Sequence, residues 1–386
     1  MTRILLLGAS GSIGSQTIDV INKNPQDFTL VGFSVGYRTR CIRSILLKHK
    51  EVKIVYLRDK TKVKYYSSRY PQVTFTSEGL DELVNKVDCD MVVNALVGYS
   101  GLHPSITALN ANKKLALANK ESLVVGGELI NGLLKEGHGK LYPIDSEHSA
   151  LWKCLKVDDK NVNKLMLTAS GGAFRNLKRE ELVNVKAKDA LNHPTWKMGA
   201  KITIDCATMV NKCFEIIEAG YLYNYSPSKI GVMLHDESYL HSYVIYNNGL
   251  MRGEISKPDM RNPIKFALYE GNIPFATQTF NSLDELKGLH FHECSLERYP
   301  VIALAKKVLT KKGNLGAILN MANEVAVDAY LRDQISFLDI EKTIDYCMKK
   351  VKYIASPSLK ELDDSTFKAM NSAREYIYFL KEGNRR

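Results

Sequence analysis

Several features that define other protein classes are missing from this chain of 386 residues. Its seven cysteines are scattered and form no CxxC pair, which argues against both a zinc site and a disulfide framework. No apolar run approaches the roughly 20 residues that a membrane helix needs. The apolar stretch at residues 4–7 ends at Gly8, far short of the roughly 7–15 apolar residues of a secretory signal. We therefore expect a cytoplasmic protein without a membrane partner.

A nucleic-acid-binding pattern is also missing, although the formal net charge is +11. The Lys and Arg residues are spread along the whole chain, and no known nucleic-acid-binding motif accompanies them. A solvated basic surface that attracts anionic small molecules explains this charge, so we expect no nucleic-acid partner. The composition, 45% apolar and 25% charged, is typical of a globular protein, and the length allows two or three domains.

The N-terminus has the order strand, glycine-rich turn, helix that a dinucleotide site requires. Thr2–Leu7 is a continuous apolar run, as expected for a parallel strand buried on both faces. It leads into Gly8, Gly11 and Gly14, whose GxxGxxG spacing lets backbone N–H groups approach a pyrophosphate at a helix N-terminus. A tight strand-to-helix turn without a ligand would give the same spacing, so the motif alone leaves both interpretations open.

The end of the second predicted strand, Phe28–Val35, favours NADPH over NADH. An NAD site usually has an acidic residue here, whereas this strand is followed by Gly36, Arg38 and Arg40 with no acid between them. A guanidinium group suits a ribose 2′-phosphate because it donates two parallel hydrogen bonds. Alternatively, both arginines are ordinary surface cations.

Polar residues follow two further predicted strands, at residues 114–118 and 140–144; another strand is predicted at 90–97. Lys120 and Glu121 follow the strand at 114–118, at the carboxyl end where open α/β sheets bind ligands. Asp145 and Glu147 follow the strand at 140–144, and their side chains would point the same way if the extended geometry continued. Two such carboxylates repel each other unless a cation offsets them. A helix cap at Asp145, with Glu147 in the first turn, is the alternative.

The middle of the chain contains a candidate phosphate site and a candidate lid. A strand at residues 165–169 leads into Ser170 and two glycines, which form either a phosphate cradle or a plain turn. Residues 192–199 are predicted to form a loop, because Pro194 disfavours helix before it. Trp196, in this loop, could cover a bound ligand or anchor the loop to the core.

A third acidic residue follows a strand predicted at residues 201–205. If the next segment is helical, Asn211, Lys212 and Glu215 share one helix face, since they are three and four residues apart. Asn and Lys suit a phosphate, and Glu suits a metal ion. The alternative is a surface ion pair between Lys212 and Glu215. Three carboxylates would make the oxygen site that Mg²⁺ or Mn²⁺ prefers.

Eight ordered motifs carry a resemblance to a known family: GASGSIG, LANKESLV, PIDSEHSA, SGGAFR, HPTWKMGAKITID, ATMVNKCFEIIEA, PDMRNPI and LNMANEVAV. They resemble the 1-deoxy-D-xylulose 5-phosphate reductoisomerases, which use NADPH and a divalent cation to make 2-C-methyl-D-erythritol 4-phosphate in non-mevalonate isoprenoid synthesis. The match runs essentially from end to end. It implies a phosphorylated sugar substrate and a homodimer.

The resemblance also implies a role for each matching residue. Lys120, Glu147 and His193 would be catalytic. NADPH would be bound by Ser10, Gly11, Ser12, Ile13, Gly36, Arg38, Asn119, Glu121 and Gly199. The substrate would be bound by Lys120, Ser146, Glu147, Ser170, His193, Trp196, Cys206, Asn211, Lys212 and Glu215. The metal ion, Mn²⁺ or Mg²⁺, would be bound by Asp145, Glu147 and Glu215.

We expect an α/β protein with a Rossmann-like NADPH-binding domain at residues 1–147. A central α/β catalytic domain would follow at 148–269, with a flexible loop at 192–200. A connecting segment at 270–298 would lead to a helical C-terminal domain at 299–386.

The chain departs from the family pattern at a few positions. Cys206 stands where the family usually has a serine that binds the phosphate, Cys213 replaces a glycine, and Tyr37 and Arg38 replace Lys-Asn-like residues. Two other functions remain as alternatives. One is a semialdehyde-type dehydrogenase with Cys206 or Cys154 as nucleophile, and the other is a non-catalytic NADPH-binding regulator.

Overall fold

The computed structural model describes residues 1–272, 280 and 282–383, which form two compact units. The first unit contains Met1–Ser122, Leu129–Ser149 and the described part of Asp259–Thr277. The second contains Leu123–Glu128, Ala150–Pro258 and the described part of Gln278–Arg386. The division into three domains with a connecting segment stays a prediction, and residues 273–279 and 281 of that segment lie outside the described residues.

The first unit is built on a parallel sheet of seven strands in the order β4-β3-β2-β1-β5-β6-β7. The strands are β1 Thr2–Leu7, β2 Phe28–Val35, β3 Ile54–Leu57, β4 Thr74–Thr76, β5 Met91–Asn94, β6 Lys114–Leu117 and β7 Lys140–Pro143. The strand order reverses beside β1, which creates the crevice where doubly wound sheets bind ligands. The α/β prediction is therefore confirmed, although the strands predicted at 90–97, 114–118 and 140–144 are shorter than expected.

β1 lies in the middle of the sheet, between β2 and β5, and its apolar run is buried on both faces. Residues 4–7 are completely inaccessible to solvent. Such a strand has no polar face, which is why it lacks the alternation of a half-exposed strand. Its carboxyl end carries the glycine-rich turn, and the turn leads directly into the first helix.

The chain contains α1 Ser12–Lys23, α2 Cys41–Lys48, α3 Val63–Arg69, α4 Leu80–Lys86, α5 Leu102–Asn110, α6 Lys120–Lys135, α7 Ser146–Leu155, α8 Ala187–Ala190, α9 Ala200–Thr208, α10 Val210–Tyr223, α11 Arg261–Leu268, α12 Ile302–Lys311, α13 Leu315–Leu331, α14 Phe337–Lys350 and α15 Leu359–Gly383. Among the described residues, no helix has the length and apolar character required to cross a membrane.

The second unit contains a mixed sheet of five strands in the order β11-β10-β8-β9-β12. They are β8 Val162–Ala169, β9 Ile230–His235, β10 Leu240–Tyr246, β11 Met251–Ile255 and β12 Phe291–Glu293. β8 and β9 are parallel, and the other pairs are antiparallel. The C-terminal part is helical, as predicted: α13 packs against α14 and α15, and Tyr330 and Phe337 are almost fully buried.

The strand predicted at residues 201–205 is wrong, because these residues belong to α9. Isoleucines at 202 and 204 alternate with polar residues, as in a half-buried strand, yet the helix buries Thr203, Ile204 and Asp205 together. Lys201 and Asp205 form an i,i+4 ion pair of 2.7 Å, since a helix places these two side chains next to each other and an extended strand does not. Asp205 also accepts a hydrogen bond from Asn323 of α13 at 2.8 Å. This tertiary contact outweighs the local preference of β-branched residues.

Candidate functional site

The glycine-rich turn after β1 brings backbone N–H groups to the start of α1. Gly8 has a φ of +89°, and an added Cβ would lie 2.6 Å from the carbonyl oxygen of Ala95. At Gly14 a Cβ would lie 2.2 Å from the carbonyl oxygen of Gly8, so only glycine permits this close approach of helix and strand. Gly11, the residue before α1, has no side chain to cap the helix. The first N–H groups of α1 therefore suit a phosphate group.

The end of β2 agrees with the predicted preference for NADPH. Gly36 borders open space, since a Cβ there would meet nothing within 4 Å. Arg38 is exposed, and no acidic residue lies between Val35 and Arg40. The residues present thus fit a ribose 2′-phosphate better than a bare 2′-hydroxyl.

Asn119 and Glu121 are buried and hold the neighbouring Gly98 loop. Asn119 Nδ2 donates to the carbonyl oxygen of Gly98 at 2.9 Å and to Glu121 Oε2 at 3.0 Å. Glu121 Oε1 in turn accepts from the N–H of Gly98 at 3.1 Å. Asn119 Oδ1 also caps α6 by accepting from the N–H of Ser122 at 3.1 Å. These bonds fix the strand end that carries Lys120.

Lys120 and Asp145 form a buried ion pair within the first unit. Lys120 Nζ lies 2.8 Å from Asp145 Oδ2, and the two side chains are 10% and 11% exposed. Because little water reaches the two side chains, the attraction between their charges is only weakly screened. The pair brings a candidate catalytic cation to a candidate metal ligand.

Of the two alternatives for Asp145 and Glu147, the structure contains the helix cap and not a continued extended strand. Asp145 Oδ1 accepts from the N–H of Glu147 at 3.1 Å and from that of His148 at 3.3 Å. Glu147 therefore lies in the first turn of α7, where Ser146 Oγ donates to its carboxylate. An aspartate before a helix accepts hydrogen bonds from N–H groups that have no partner within the helix. These bonds favour the start of a helix here over continuation of the strand.

Ser170 and His193 form a hydrogen-bonded pair within the second unit, with 2.9 Å between Ser170 Oγ and His193 Nε2. His193 Nδ1 accepts the backbone N–H of Thr195 at 3.2 Å and that of Trp196 at 2.9 Å. An accepting Nδ1 carries no proton, so Nε2 carries the proton and donates to Ser170. Burial, with a contribution from the charge of Arg175, lowers the pKa of His193 to about 4. The imidazole is therefore neutral near pH 7.

The loop at residues 192–199 has no regular secondary structure, as predicted. The ring of Trp196 is half-buried, and its centroid lies 6.3 Å from that of His241. Thr195 Oγ1 lies 3.3 Å from Ser238 Oγ. Gly199 ends the loop in an extended conformation and is the residue before α9.

The helix face predicted for Asn211, Lys212 and Glu215 is confirmed on α10. Asn211 Nδ2 donates to Glu215 Oε1 at 2.6 Å, and Lys212 pairs with the same carboxylate. Lys212 and Glu215 are 3% and 1% exposed, so the solvent-exposed ion pair of the alternative interpretation is excluded. α10 follows α9 after a single residue, Met209, whose φ of +63° is unusual for a non-glycine residue.

Thr168 and Arg175 act on these side chains, although no sequence motif predicts a role for either residue. The carbonyl oxygen of Thr168 accepts a hydrogen bond from Lys212 Nζ, and the charge of Arg175 disfavours protonation of His193. Arg175 Nη1 is itself held by the carbonyl oxygen of Asp236 at 2.9 Å. Arg175 lies within the SGGAFR motif, but its partners come from distant sequence, so no local pattern identifies them.

Cys154, one of the two candidate nucleophiles, is not an activated thiol. Burial raises the pKa of Cys154 to about 11, the opposite of what an activated thiolate requires. Cys206 is half-buried on α9. The semialdehyde-type alternative therefore lacks an activated thiol at Cys154.

Three family models match most of the chain. A model described as 1-deoxy-D-xylulose 5-phosphate reductoisomerase matches residues 4–127, and one described as its C-terminal domain matches residues 141–223. A model described as DXP reductoisomerase C-terminal domain matches residues 255–377.

Two bacterial relatives bear the same name. The chain is 40% identical over 365 residues to the 1-deoxy-D-xylulose 5-phosphate reductoisomerase of Bacillus cereus strain AH187, covering 94% of this chain and 96% of that protein. It is 41% identical over 367 residues to that of Geobacillus sp. strain WCH70, with the same coverage of both chains.

Solved structures agree with the sequence relatives. The Zymomonas mobilis reductoisomerase in complex with NADPH is 31% identical, with a TM-score of 0.89 over 97% of this chain and 99% of that one. A DOX-P reductoisomerase in complex with NADPH, fosmidomycin and magnesium is 29% identical, with a TM-score of 0.91 over 99% of both chains. The chain therefore belongs to the 1-deoxy-D-xylulose 5-phosphate reductoisomerase family.

Proposed function

We propose that this chain performs the reaction of its family with the residues described above. The reaction is a metal-dependent rearrangement of 1-deoxy-D-xylulose 5-phosphate and an NADPH-dependent reduction to 2-C-methyl-D-erythritol 4-phosphate, a step of non-mevalonate isoprenoid synthesis. The buried Lys120–Asp145 pair carries the proposal, because it joins a cation suited to a developing oxyanion to a carboxylate suited to a metal ion. We propose residues 1–147 as the cofactor domain, 148–269 as the catalytic domain and 299–386 as the helical domain.

The carboxyl ends of β1 and β2 suit NADPH. The solved Zymomonas mobilis relative holds this cofactor, and here the uncapped start of α1 and the acid-free end of β2 suit its phosphate groups. NADPH, when bound, supplies the hydride. The proposed contacts are Ser10, Gly11, Ser12, Ile13, Gly36, Arg38, Asn119, Glu121 and Gly199.

Asp145, Glu147 and Glu215 are proposed to bind one divalent cation. Each offers one carboxylate oxygen as a ligand. Oxygen donors of this kind suit Mg²⁺ and Mn²⁺, and magnesium is present in a solved relative. We propose that either ion serves in this chain. A divalent cation, when bound, polarises the carbonyl and the adjacent hydroxyl of the substrate.

The other polar side chains are proposed to hold and cover the substrate. Lys212, Asn211, Ser170 and Cys206 would bind the phosphate, with Ser146 at the sugar hydroxyls. His193 is neutral and donates from Nε2, so it binds an oxygen without repelling a cation. Lys120 would hydrogen-bond the oxyanion that develops during the rearrangement. Trp196 would exclude water when the loop closes.

Glu215→Gln tests the metal site. NADPH absorbance should show loss of Mn²⁺-dependent turnover of 1-deoxy-D-xylulose 5-phosphate, because an amide is a weaker metal ligand than a carboxylate. Binding of Mn²⁺, measured by electron paramagnetic resonance, should weaken in parallel, while NADPH binding should persist. Glu254→Gln is the matched control, since Glu254 pairs with Lys153 at 2.6 Å in the same unit. Near-normal turnover by the Glu215→Gln variant would contradict the proposal that Glu215 binds the metal ion.

We also propose that the protein is a homodimer. β11 is an edge of its sheet, and the apolar side chains of Leu250, Met251 and Ile255 are 66%, 67% and 48% exposed. An exposed edge with apolar side chains favours pairing with another chain. Sedimentation equilibrium should show dimers, and Met251→Lys should weaken them. A monomeric wild-type protein would contradict this proposal.

The proposed compartment is the cytoplasm. None of the seven cysteines, all of which lie in the described part of the chain, forms a disulfide bond, as expected where glutathione and thioredoxin keep cysteines reduced. Cell fractionation with an antibody would test this placement, and recovery outside the cytoplasmic fraction would contradict it.

A further inference from the structure

Arg58, which no motif singled out, lies where the cofactor's ribose is expected. It follows β3, which pairs in parallel with β2, Val35 opposite Leu57. The N–H of Arg58 donates to the carbonyl oxygen of Val35 at 3.1 Å, which extends the ladder by one residue. Arg58 is therefore held beside the end of β2, the position from which dinucleotide-binding sheets contact the ribose 2′-substituent.

The side chain of Arg58 is positioned by an aromatic ring from the same turn as Arg38. Arg58 Cζ lies over the ring of Tyr37, 5.3 Å from its centroid. A guanidinium group stacked on a ring uses its flat face and leaves its N–H edge available to an acceptor. Tyr37 is 66% exposed, so the guanidinium is held at the surface, within reach of a ligand.

The positive charge at this strand end is not neutralised by the protein. Arg38, Arg40 and Arg58 are exposed, and none of them forms an ion pair among the residues that the structure describes. Asp59, the neighbouring acid, is engaged elsewhere: its Oδ1 accepts from the N–H of Thr61 at 3.2 Å and from Thr61 Oγ1 at 2.6 Å. Three guanidinium groups without a counter-ion suit a ligand with a doubly charged phosphate.

We infer that Arg58, positioned by Tyr37, is a second guanidinium group for the 2′-phosphate of NADPH and, with Arg38, sets the preference for NADPH over NADH. This inference rests on the proposed placement of the cofactor at Gly36 and Arg38. NADH lacks the phosphate, so the contribution of Arg58 applies to NADPH alone. Tyr37 is a positioning residue, because it acts through the orientation of Arg58.

Equilibrium binding measures this preference independently of turnover. Fluorescence titrations with NADPH and with NADH give the two Kd values for wild type, Arg58→Gln, Arg38→Gln and Tyr37→Leu. Arg58→Gln should raise the Kd of NADPH roughly tenfold, as expected for a lost charge-assisted hydrogen bond. Its Kd for NADH should stay within about twofold, which also shows that the variant is folded. Tyr37→Leu should act in the same direction but more weakly.

Arg69→Gln is the matched control, since it removes the same charge from an exposed position on α3. It should leave the ratio of the Kd for NADH to the Kd for NADPH unchanged. If Arg38→Gln lowers the ratio and Arg58→Gln does not, the inference fails while the cofactor placement survives. If neither changes the ratio, both fail. If Arg58→Gln weakened the binding of NADPH and NADH equally, the inference would also be overturned, because Arg58 would then support the conformation of the turn and not contact the 2′-phosphate.

Discussion

Replacing Lys120 by methionine should destabilise the protein by leaving Asp145 without its counter-ion. The ammonium group lies 2.8 Å from Asp145 Oδ2, and the side chains are 10% and 11% exposed, so solvent screens the pair weakly. Two backbone donors, the N–H groups of Glu147 and His148, still reach the carboxylate after the change. We therefore expect the lower end of the cost of breaking a buried pair, about 3 kcal/mol.

A double-mutant cycle isolates the pair from the loss of packing. Lys120→Met, Asp145→Asn and the double variant, compared by urea unfolding, should give a coupling energy of about 2 kcal/mol. The pair Lys349–Asp345 is the control, because it has a short distance of 2.6 Å but is 72% and 57% exposed. Its cycle should give no more than about 0.5 kcal/mol.

Added Mg²⁺ extends the test to the proposed metal site. A divalent cation beside Asp145 replaces the missing ammonium, so Mg²⁺ should stabilise Lys120→Met more than it stabilises Asp145→Asn. A coupling energy as small as that of the exposed control pair would refute the reasoning about burial. Equal stabilisation of both variants by Mg²⁺ would refute the assignment of Asp145 as a ligand.

Three further predictions follow from other parts of the site. The pKa of His193 lies near 4 instead of 6.5, so its contribution to stability is complete above pH 6.5 and is lost as the pH falls through 4; an NMR titration with a midpoint near 6.5 would contradict this. Gly14→Ala should lower the free energy of unfolding in urea by about 3 kcal/mol or more, because its Cβ would lie 2.2 Å from Gly8 O. Gly132→Ala is the control: a Cβ there would meet no atom within 4 Å, so it should raise the free energy of unfolding by roughly 0.5–1 kcal/mol. Similar effects of the two substitutions would argue against the steric explanation. Cys206→Ser should lower the KM for the substrate a few-fold at unchanged kcat, because a hydroxyl is a better donor than a thiol; an unchanged KM would place Cys206 outside the phosphate contacts.

The elements predicted correctly are those whose signal lies in neighbouring residues. The apolar run of β1 and the glycine spacing after it indicated the strand, turn and helix that the structure contains. The shared face of Asn211, Lys212 and Glu215 follows from helical periodicity alone, and their hydrogen bonds confirm it. Eight motifs in order were sufficient to indicate the family, which the relatives confirm.

Long-range packing decided what these local patterns left open. Residues 201–205 alternate as a strand does, yet the contact between Asp205 and Asn323 belongs to a helix. Asp145 caps α7 and pairs with Lys120, 25 residues away, instead of extending β7. Arg58 and Tyr37 are joined because their strands are neighbours in the sheet. Local sequence determines dihedral preferences and periodicity, but which side chains meet depends on the packing of the whole unit, where burial and hydrogen bonding outweigh those preferences.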